Sequence, residues 1–347
     1  MLKSQSDPIN ILVELEILRM KIHYKIFKML KETIKKENLF LEVKESQQLI
    51  LRYILNKNAD LNLKSQSDPV YILGDSELAK NQLLLDIKYF KFPLKMYKKI
   101  KDLLEESFIF ANEFIEEQKK NNTVPLDKEI KIKFFKHPIL TYENDTLAKI
   151  TDNNIKIYDN KIEIAYYSKN KENILDLNKI KYTFCSLLRY KYLYLDAHGS
   201  QLEYRNSIEN FAELNLDEAT ECFASPFNHT FNHYCSAFLD IEKPLGSLGN
   251  FFTITKFPTK LLLVNPVFDP VFIKLTINHI LNIMKISKHI VYFILPIWRH
   301  VSYNTLYESE FFIKKKIFPK GELFFYNFPT GRRYSPCDIE IIMLDNN

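Results

Sequence analysis

Four residues, Asn265-Pro266-Val267-Phe268, have the types and the order needed to handle the exocyclic amine of an adenine. That nitrogen is a poor nucleophile because its lone pair is delocalised into the ring. A site can help by accepting both amine hydrogens, which drives the nitrogen toward a tetrahedral geometry. The Asn265 side-chain carbonyl and the Pro266 backbone carbonyl are two such acceptors on a short, stiff loop. An aromatic two residues on, Phe268, can stack on an extruded base and fix its plane. The same residues also make an ordinary strand-ending turn whose Phe plugs the core, since Asn-Pro is a common turn signal. On their own they favour that plainer reading.

The loop needs an element to hold it. Leu261 to Val264 is four apolar residues without alternation, a short buried strand running into the Asn-Pro turn. A second breaker pair, Asp269-Pro270, delays regular structure until about Val271. A buried strand ending this way delivers its loop to the carboxyl edge of a parallel sheet, where open α/β folds bind ligands.

Around this loop the sequence carries further blocks. Upstream are Glu221-Cys-Phe-Ala-Ser-Pro-Phe-Asn228, Tyr234-Cys-Ser-Ala-Phe238 with Asp240, and Pro244-Leu-Gly-Ser-Leu-Gly-Asn-Phe-Phe252. Downstream are Phe293-Ile-Leu-Pro-Ile-Trp-Arg299 and Phe325-Tyr-Asn-Phe-Pro-Thr-Gly-Arg-Arg333, and further upstream lies Leu187 to Leu193. In this order and spacing the stretch from about Lys181 to Leu344 resembles the phosphorylated-CTD-interacting-factor family of cap-specific adenosine-N6 methyltransferases. The resemblance implies an α/β chain with a class I, Rossmann-like, AdoMet-dependent methyltransferase core. It implies that Asn265, Pro266 and Phe268 are catalytic. It also implies that Ala224, Ser225, Pro226 and Asn228 form the small-residue turn against S-adenosyl-L-methionine. Asp240 is assigned to the ribose hydroxyls of that cofactor. One position departs: the family carries Asn-Pro-Pro-Phe, and Val267 stands at the second proline. The three chemical groups survive, but a proline that would hold Pro266 extended is gone.

Stepwise along the chain, the expected organisation is a helical domain over 1–130, a small β-rich bridging element over 131–180 and the methyltransferase domain over 181–347. Ser6-Asp7-Pro8 is a helix start, and Ile9 to Lys36 carries apolar residues at helical spacing. Further helices are expected over Ser46–Leu55, Asp75–Phe90 and Leu94–Lys119. Leu2 to Pro8 recurs letter for letter as Leu63 to Pro69, read as a local duplication because two copies are too few for a solenoid. Period-two alternation at Ile130–Phe135, Ile155–Tyr158 and Ile162–Tyr167 predicts strands, the last two joined by an Asp159-Asn160-Lys161 hairpin. A helix over Leu177–Leu195 should open the core. Thr220–Ser225 should be its first strand and Asn228–Phe238 the next helix. Further strands are expected at Phe251–Thr255, Leu261–Val264 and His289–Leu295, a helix over 271–287, and a closing strand at Ile339–Leu344.

Other constellations are weaker. His229 and His233 stand at i and i+4 with Cys235 nearby, a spacing that holds metal on a helix, but no fourth ligand is in view and no metal is expected. Trp298 and Arg299 follow a buried strand and would sit near the sheet edge of Asn265, in reach of substrate; a core Trp beside a surface Arg is equally consistent. Arg332 and Arg333 can meet cap phosphates, although an isolated arginine pair is usually just solvated.

Composition sets the outer limits. The 347 residues include 46% apolar and 26% charged, a globular balance, with a net charge of +5 that permits a nucleic-acid partner without demanding one. Four cysteines without a CxxC pair point to a reducing, intracellular compartment, nuclear or cytoplasmic, a virus-encoded protein included. No apolar run is long enough for a membrane span and no signal-peptide core opens the chain, so no membrane is expected. The single Trp298 excludes a WW module, which needs two spaced tryptophans, and with it WW-type docking to a polymerase tail. The N-terminal helices are expected to offer a protein partner a surface. The reading is an N6-adenosine methyltransferase acting on the first transcribed adenosine of capped mRNA, with capped RNA as partner. Its rival is a catalytically inactive cap- or RNA-binding subunit that keeps the fold, which Val267 favours. A DNA adenine methyltransferase ranks third, since the loop chemistry is shared and the flanking blocks are not.

Overall fold

Apolar residues at helical spacing build most of the first part of the chain. The computed structural model describes residues 8–61, 70–121, 130–133, 139–142, 145–150, 154–159, 162–167, 179–193, 201–202, 218–298, 303–327 and 332–346. They divide into two units, Met1–Ile164 with Leu175–Asp196, and Ala165–Ile174 with Ala197–Asn347.

In the first unit α1 spans Pro8–Lys36, α2 Val43–Asp60, α3 Glu77–Tyr89 and α4 Lys95–Asn121. On α1 the stripe Leu15, Leu18, Ile22, Ile26, Leu30 and Ile34 is buried, and on α4 the stripe Met96, Ile100, Leu104, Phe108, Ala111 and Ile115. Ser76 caps α3 by accepting the Ala79 N–H at 3.1 Å. α2 outruns its expected end because Lys57 is buried on it, donating to Glu105 of α4 at 2.7 Å. The β-rich expectation corresponds to a five-stranded sheet in sequence order, β1 Ile130–Lys133, β2 Ile139–Tyr142, β3 Asp145–Ile150, β4 Asn154–Asp159 and β5 Ile162–Tyr167. Asn160 and Lys161 of the expected hairpin lie outside the described residues, as does nearly all of the Leu2–Pro8 and Leu63–Pro69 duplication.

α5, Ile180–Tyr192, is shorter than expected and clusters with the helical unit rather than with the sheet that follows. The reason is electrostatic. Glu16 on α1 accepts from Arg189 Nε at 2.9 Å and Nη2 at 2.6 Å, from the Tyr192 hydroxyl at 2.7 Å and from Arg19 at 3.0 Å, all buried. A carboxylate taken out of water with this set of charge-assisted donors fixes which helix pairs with which.

The second unit holds β6 Gln201–Leu202, β7 Ala219–Glu221, β8 His233–Tyr234, α6 Leu239–Glu242, β9 Leu261–Val264, α7 Pro270–Ile286, β10 Ile290–Pro296, α8 Asn304–Tyr307, β11 Phe312–Phe318, β12 Phe325–Asn327, β13 Arg332–Tyr334 and β14 Ile339–Asp345. Its main sheet runs β11-β14-β10-β9-β7-β8. Strands β8, β7, β9 and β10 are parallel, whereas β14 is antiparallel to both β10 and β11. The sheet is therefore mixed, and β14 lies inside it instead of closing an edge. Period two divides the core cleanly. Leu261 and Leu263 share one face with Tyr292, Ile294, Ile339 and Ile341 under Leu202, Leu323 and Phe325. Leu262 and Val264 share the other with Val291, Phe293 and Leu295 under Ile273, Ile277, Ile280 and Met284 of α7. Burial on both faces explains why β9 and β10 read as unbroken apolar runs.

Two expected elements are absent. Residues 228–238 are turns and the short strand β8, not a helix, because two side chains take over the backbone donors. Asn228 Oδ1 accepts the Ser225 N–H at 2.7 Å, and Glu221 Oε2 accepts the Thr230 N–H at 2.5 Å and the Phe231 N–H at 3.1 Å. Phe251–Thr253 is a 3₁₀ turn instead of a strand. Asn250 caps it by accepting the Phe252 N–H at 3.0 Å, and the preceding Gly249 sits at φ +112°, where a side chain would also press on Leu239.

Candidate active site at the carboxyl edge of the sheet

Strand order reverses between β7 and β9: β8 lies outside the one, β10 and β14 outside the other. The carboxyl ends of β7 and β9 flank that switch point, the place where open α/β sheets leave a ligand crevice. The Cys222 N–H donates to the Leu263 carbonyl at 2.9 Å, so the segments beginning at Phe223 and Asn265 leave the sheet side by side.

Asn265 and Pro266 are buried, Val267 is 54% exposed, and Phe268 is half-buried. Asp269 ends the loop and starts α7. Its Oδ1 accepts the Phe272 N–H at 2.9 Å, its own N–H donates to the Val267 carbonyl at 2.7 Å, and Pro270 takes the first helical position. The breaker pair seen in the sequence is thus a helix cap that also closes the loop. Among the described residues no donor reaches the Pro266 carbonyl. The Phe268 ring stands edge-on to Trp298 (6.3 Å, 85°) and to Phe325 (6.0 Å, 81°), with Tyr334 next to Phe325 (6.3 Å). Phe268 and Trp298, named separately from the sequence, are brought together. Phe325 is their missed third partner; it lay in a block noted only for resemblance, with nothing local to mark it.

The turn after β7 is closed on itself. Besides the Asn228 bond, Ser225 Oγ accepts the Phe227 N–H at 3.1 Å, and the Ala224 N–H donates to the Cys235 carbonyl at 3.0 Å. Ser225, Pro226 and Asn228 are buried, Ala224 half-buried. Small residues here let β7 turn tightly, and Asn228 holds the turn instead of projecting from it. Glu221, just before it, is fully buried and ties Thr230 and Phe231 to the same turn. Phe223, also missed, packs on Phe251 (4.7 Å) and on Phe272 of α7 (5.6 Å), bracing the two loops' outer side.

Asp240 is exposed in the first turn of α6, whereas the buried acid of that helix is Glu242, which accepts the Phe238 N–H at 2.9 Å. Without a helix over 228–238, the i and i+4 relation of His229 and His233 has no ligating geometry. His229 instead lies flat on Tyr234 at 4.0 Å with Nδ1 2.8 Å from the Phe231 carbonyl. Cys222 and Cys235 are buried free thiols whose pKa values burial pushes well up, so both are held neutral. Arg333, exposed on β13, places its guanidinium 3.9 Å over the Phe324 ring. Arg332 shares that strand, opposite Asn327, and Arg299 lies outside the described residues.

Residues 160–327, from β5 to β12, match the family model described as Phosphorylated CTD interacting factor 1 WW domain. That stretch contains the chain's one tryptophan, Trp298, together with both loops of the switch point. Over that stretch the chain is similar to the phosphorylated-CTD-interacting-factor-1 family.

Proposed function

We propose that the chain is an AdoMet-dependent methyltransferase acting on N6 of the first transcribed adenosine of a capped mRNA. The observation that carries this reading is the emergence of Asn265-Pro266-Val267-Phe268 beside the Ala224–Asn228 turn at the switch point of the sheet. The family match to residues 160–327 supports it. The tight turn after β7 suits the close backbone approach a nucleoside cofactor needs, with Phe223 and Ala224, not the self-engaged Ser225 and Asn228, as its more accessible members. When bound, AdoMet supplies an electrophilic methyl group. The chain's own part is to hold the acceptor. The Asn265 side-chain carbonyl and the Pro266 carbonyl would accept hydrogen bonds from the two amine hydrogens, exposing the nitrogen lone pair to the methyl group, from which the cofactor would depart as a thioether, and one of these hydrogens would then pass to solvent as a proton. Phe268, wedged between Trp298 and Phe325, supports the plane of the base. Arg332 and Arg333 are the proposed contacts to cap phosphates, and Asp240 can meet the cofactor ribose only from an exposed position. The test is methyl transfer to RNA beginning with adenosine, capped against uncapped, with guanosine-initiated RNA as control. Equal rates on capped and uncapped adenosines would remove the cap from the assignment.

A second reading, a non-catalytic relative that binds capped RNA, is favoured by one observation, the exposed Val267 where the family carries a stiffening proline. Calorimetric titration with AdoMet separates the two. Binding without turnover on any adenosine-initiated RNA would support the second.

A further inference from the structure

One pole of the helical unit gathers exposed cations among exposed rings. Arg52 pairs with Asp86 at 2.8 Å, laying α2 against α3, and Glu37 pairs with Lys95 at 2.7 Å and with Lys99, laying the end of α1 against the start of α4. The Glu37 pairs bring the end of α1 to the start of α4, and the short connections over 37–42 and 90–94 bring the start of α2 and the end of α3 to the same pole. Between Asp86 and Asp102 the chain has six lysines and no acid. Lys88, Lys91, Lys95 and Lys98 are exposed, and Lys35 and Lys36 add to them from the last turn of α1. Glu37 is engaged by Lys95 and Lys99, whose hydrogen bonds hold its carboxyl down at about 2. Phe40 is 81% exposed and Tyr89 77%, with Phe90 edge-on to Tyr89 at 5.2 Å and Phe92 5.9 Å beyond.

Helix stability does not account for this. Cations at the ends of α1 and α3 suit the helix dipole, but α4 opens with Lys95 and Lys98 and no acid in its first turn, at the end where cations are disfavoured. Lys91, at φ +54°, is the left-handed residue that ends α3, where the Phe92 N–H closes on the Ile87 carbonyl at 2.9 Å, and this turn sets the lysine between Phe90 and Phe92. Solubility does not require Phe40 and Tyr89 to lie almost bare within a lysine cluster. The lysines alternate with the rings instead of bordering an unbroken apolar face, the pattern of a surface that tracks a strand and not of a helix laid into a membrane.

We infer that this pole binds single-stranded RNA, its lysines meeting phosphates and the rings of Phe40 and Tyr89 stacking on bases. The choice of RNA over DNA rests on the proposed function; the basic, aromatic surface does not. The site goes beyond the methyl-transfer chemistry, because it needs neither cap nor cofactor.

The experiment uses the full chain without AdoMet and a labelled, uncapped 12-nucleotide RNA of mixed sequence, read by fluorescence anisotropy across a salt series. Affinity should fall linearly with salt on logarithmic axes. Lys91→Gln with Lys98→Gln should lower the slope by about 1.4, from about 0.7 for each phosphate that is no longer neutralised. Phe40→Ala with Tyr89→Ala should weaken binding at least about tenfold and leave the slope unchanged. All of these side chains are exposed, so both double variants should keep the wild-type circular dichroism and melting midpoint. Wild-type affinity in both variants would overturn the inference. So would tighter binding of duplex RNA, of the matching single-stranded DNA, or of phosphatidylserine vesicles. Asn265→Ala separates the two claims. It should lower methylation by about 10²–10³-fold and leave this binding intact, whereas a wild type that methylates RNA with no contribution from the pole keeps the catalytic reading and removes this one.

Discussion

At the scale of single residues the site turns on two neighbours with different tasks. In the proposed mechanism Asn265 supplies a group, and Val267 stands where the family's proline would supply stiffness. Asn265→Ala should lower turnover by about 10²–10³-fold, the usual cost of one preorganised polar group at the reacting centre, with little change in AdoMet affinity by calorimetry. Val267→Pro restores the family's loop. Among the described residues the Val267 N–H donates no hydrogen bond, so proline removes none, and pre-organisation of about 0.4–1 kcal/mol should raise turnover by up to several-fold. Both are read from initial rates on capped, adenosine-initiated RNA. That Asn265 to Phe268 form a strand-ending loop was legible in the sequence because the apolar run before it and the breaker pair after it are local. Asn228 was not, since whether an Asn faces a ligand or turns back on its own loop depends on the backbone it joins; here it accepts the Ser225 N–H. Phe325 was hidden for another reason: it reaches Phe268 from far along the chain.

At the scale of elements, long periodic stretches declared themselves. α1, α4, α7, β9 and β10 follow from apolar spacing and breaker pairs. The failures are short segments where side chains captured backbone donors, as Glu221 and Asn228 do between 225 and 234. Asp269 shows the opposite case, a breaker that became a cap. Asp269→Ala should cost about 1 kcal/mol of stability and loosen the loop behind it, checked by chemical denaturation. α1 carries a pH dependence. His23 is buried against Tyr192 (5.5 Å), and burial lowers its pKa to about 4 from an ordinary 6.5. The unfolded chain therefore takes up this proton first as pH falls. Stability from this residue is complete above about 6.5 and declines progressively toward 4, about 3 kcal/mol in all. His23→Leu should flatten the fall in denaturation midpoint between pH 7 and pH 4.5; an unchanged profile would place the pH sensitivity elsewhere.

At the scale of the whole molecule the chain divides into two units, and α5 falls with the first, which also carries the strands up to Ile164. Nothing near α5 announces that Arg189 is claimed by Glu16, since the partner lies on α1, far back along the chain. Glu16→Ala should be strongly destabilising, by about 3–5 kcal/mol, because it strands the Arg189 charge in a dry interior. Glu16→Ala with Arg189→Met should recover only part of that stability in thermal melts, since the buried Arg19 still loses its bond to Glu16. Among the described residues no helix is long and apolar enough to cross a membrane.

The place of β14 has a temporal consequence. It is the last strand of the main sheet in chain order, yet it supplies the partner of both β10 and β11. During synthesis, β10 therefore emerges with one apolar edge unpaired, and β11 emerges without a neighbour in that sheet. Until residues 339–345 leave the ribosome, that edge is open to other chains. Protein released before β14 should accumulate as aggregate, whereas the helical unit, whose last helix ends at Tyr192, has no need to wait.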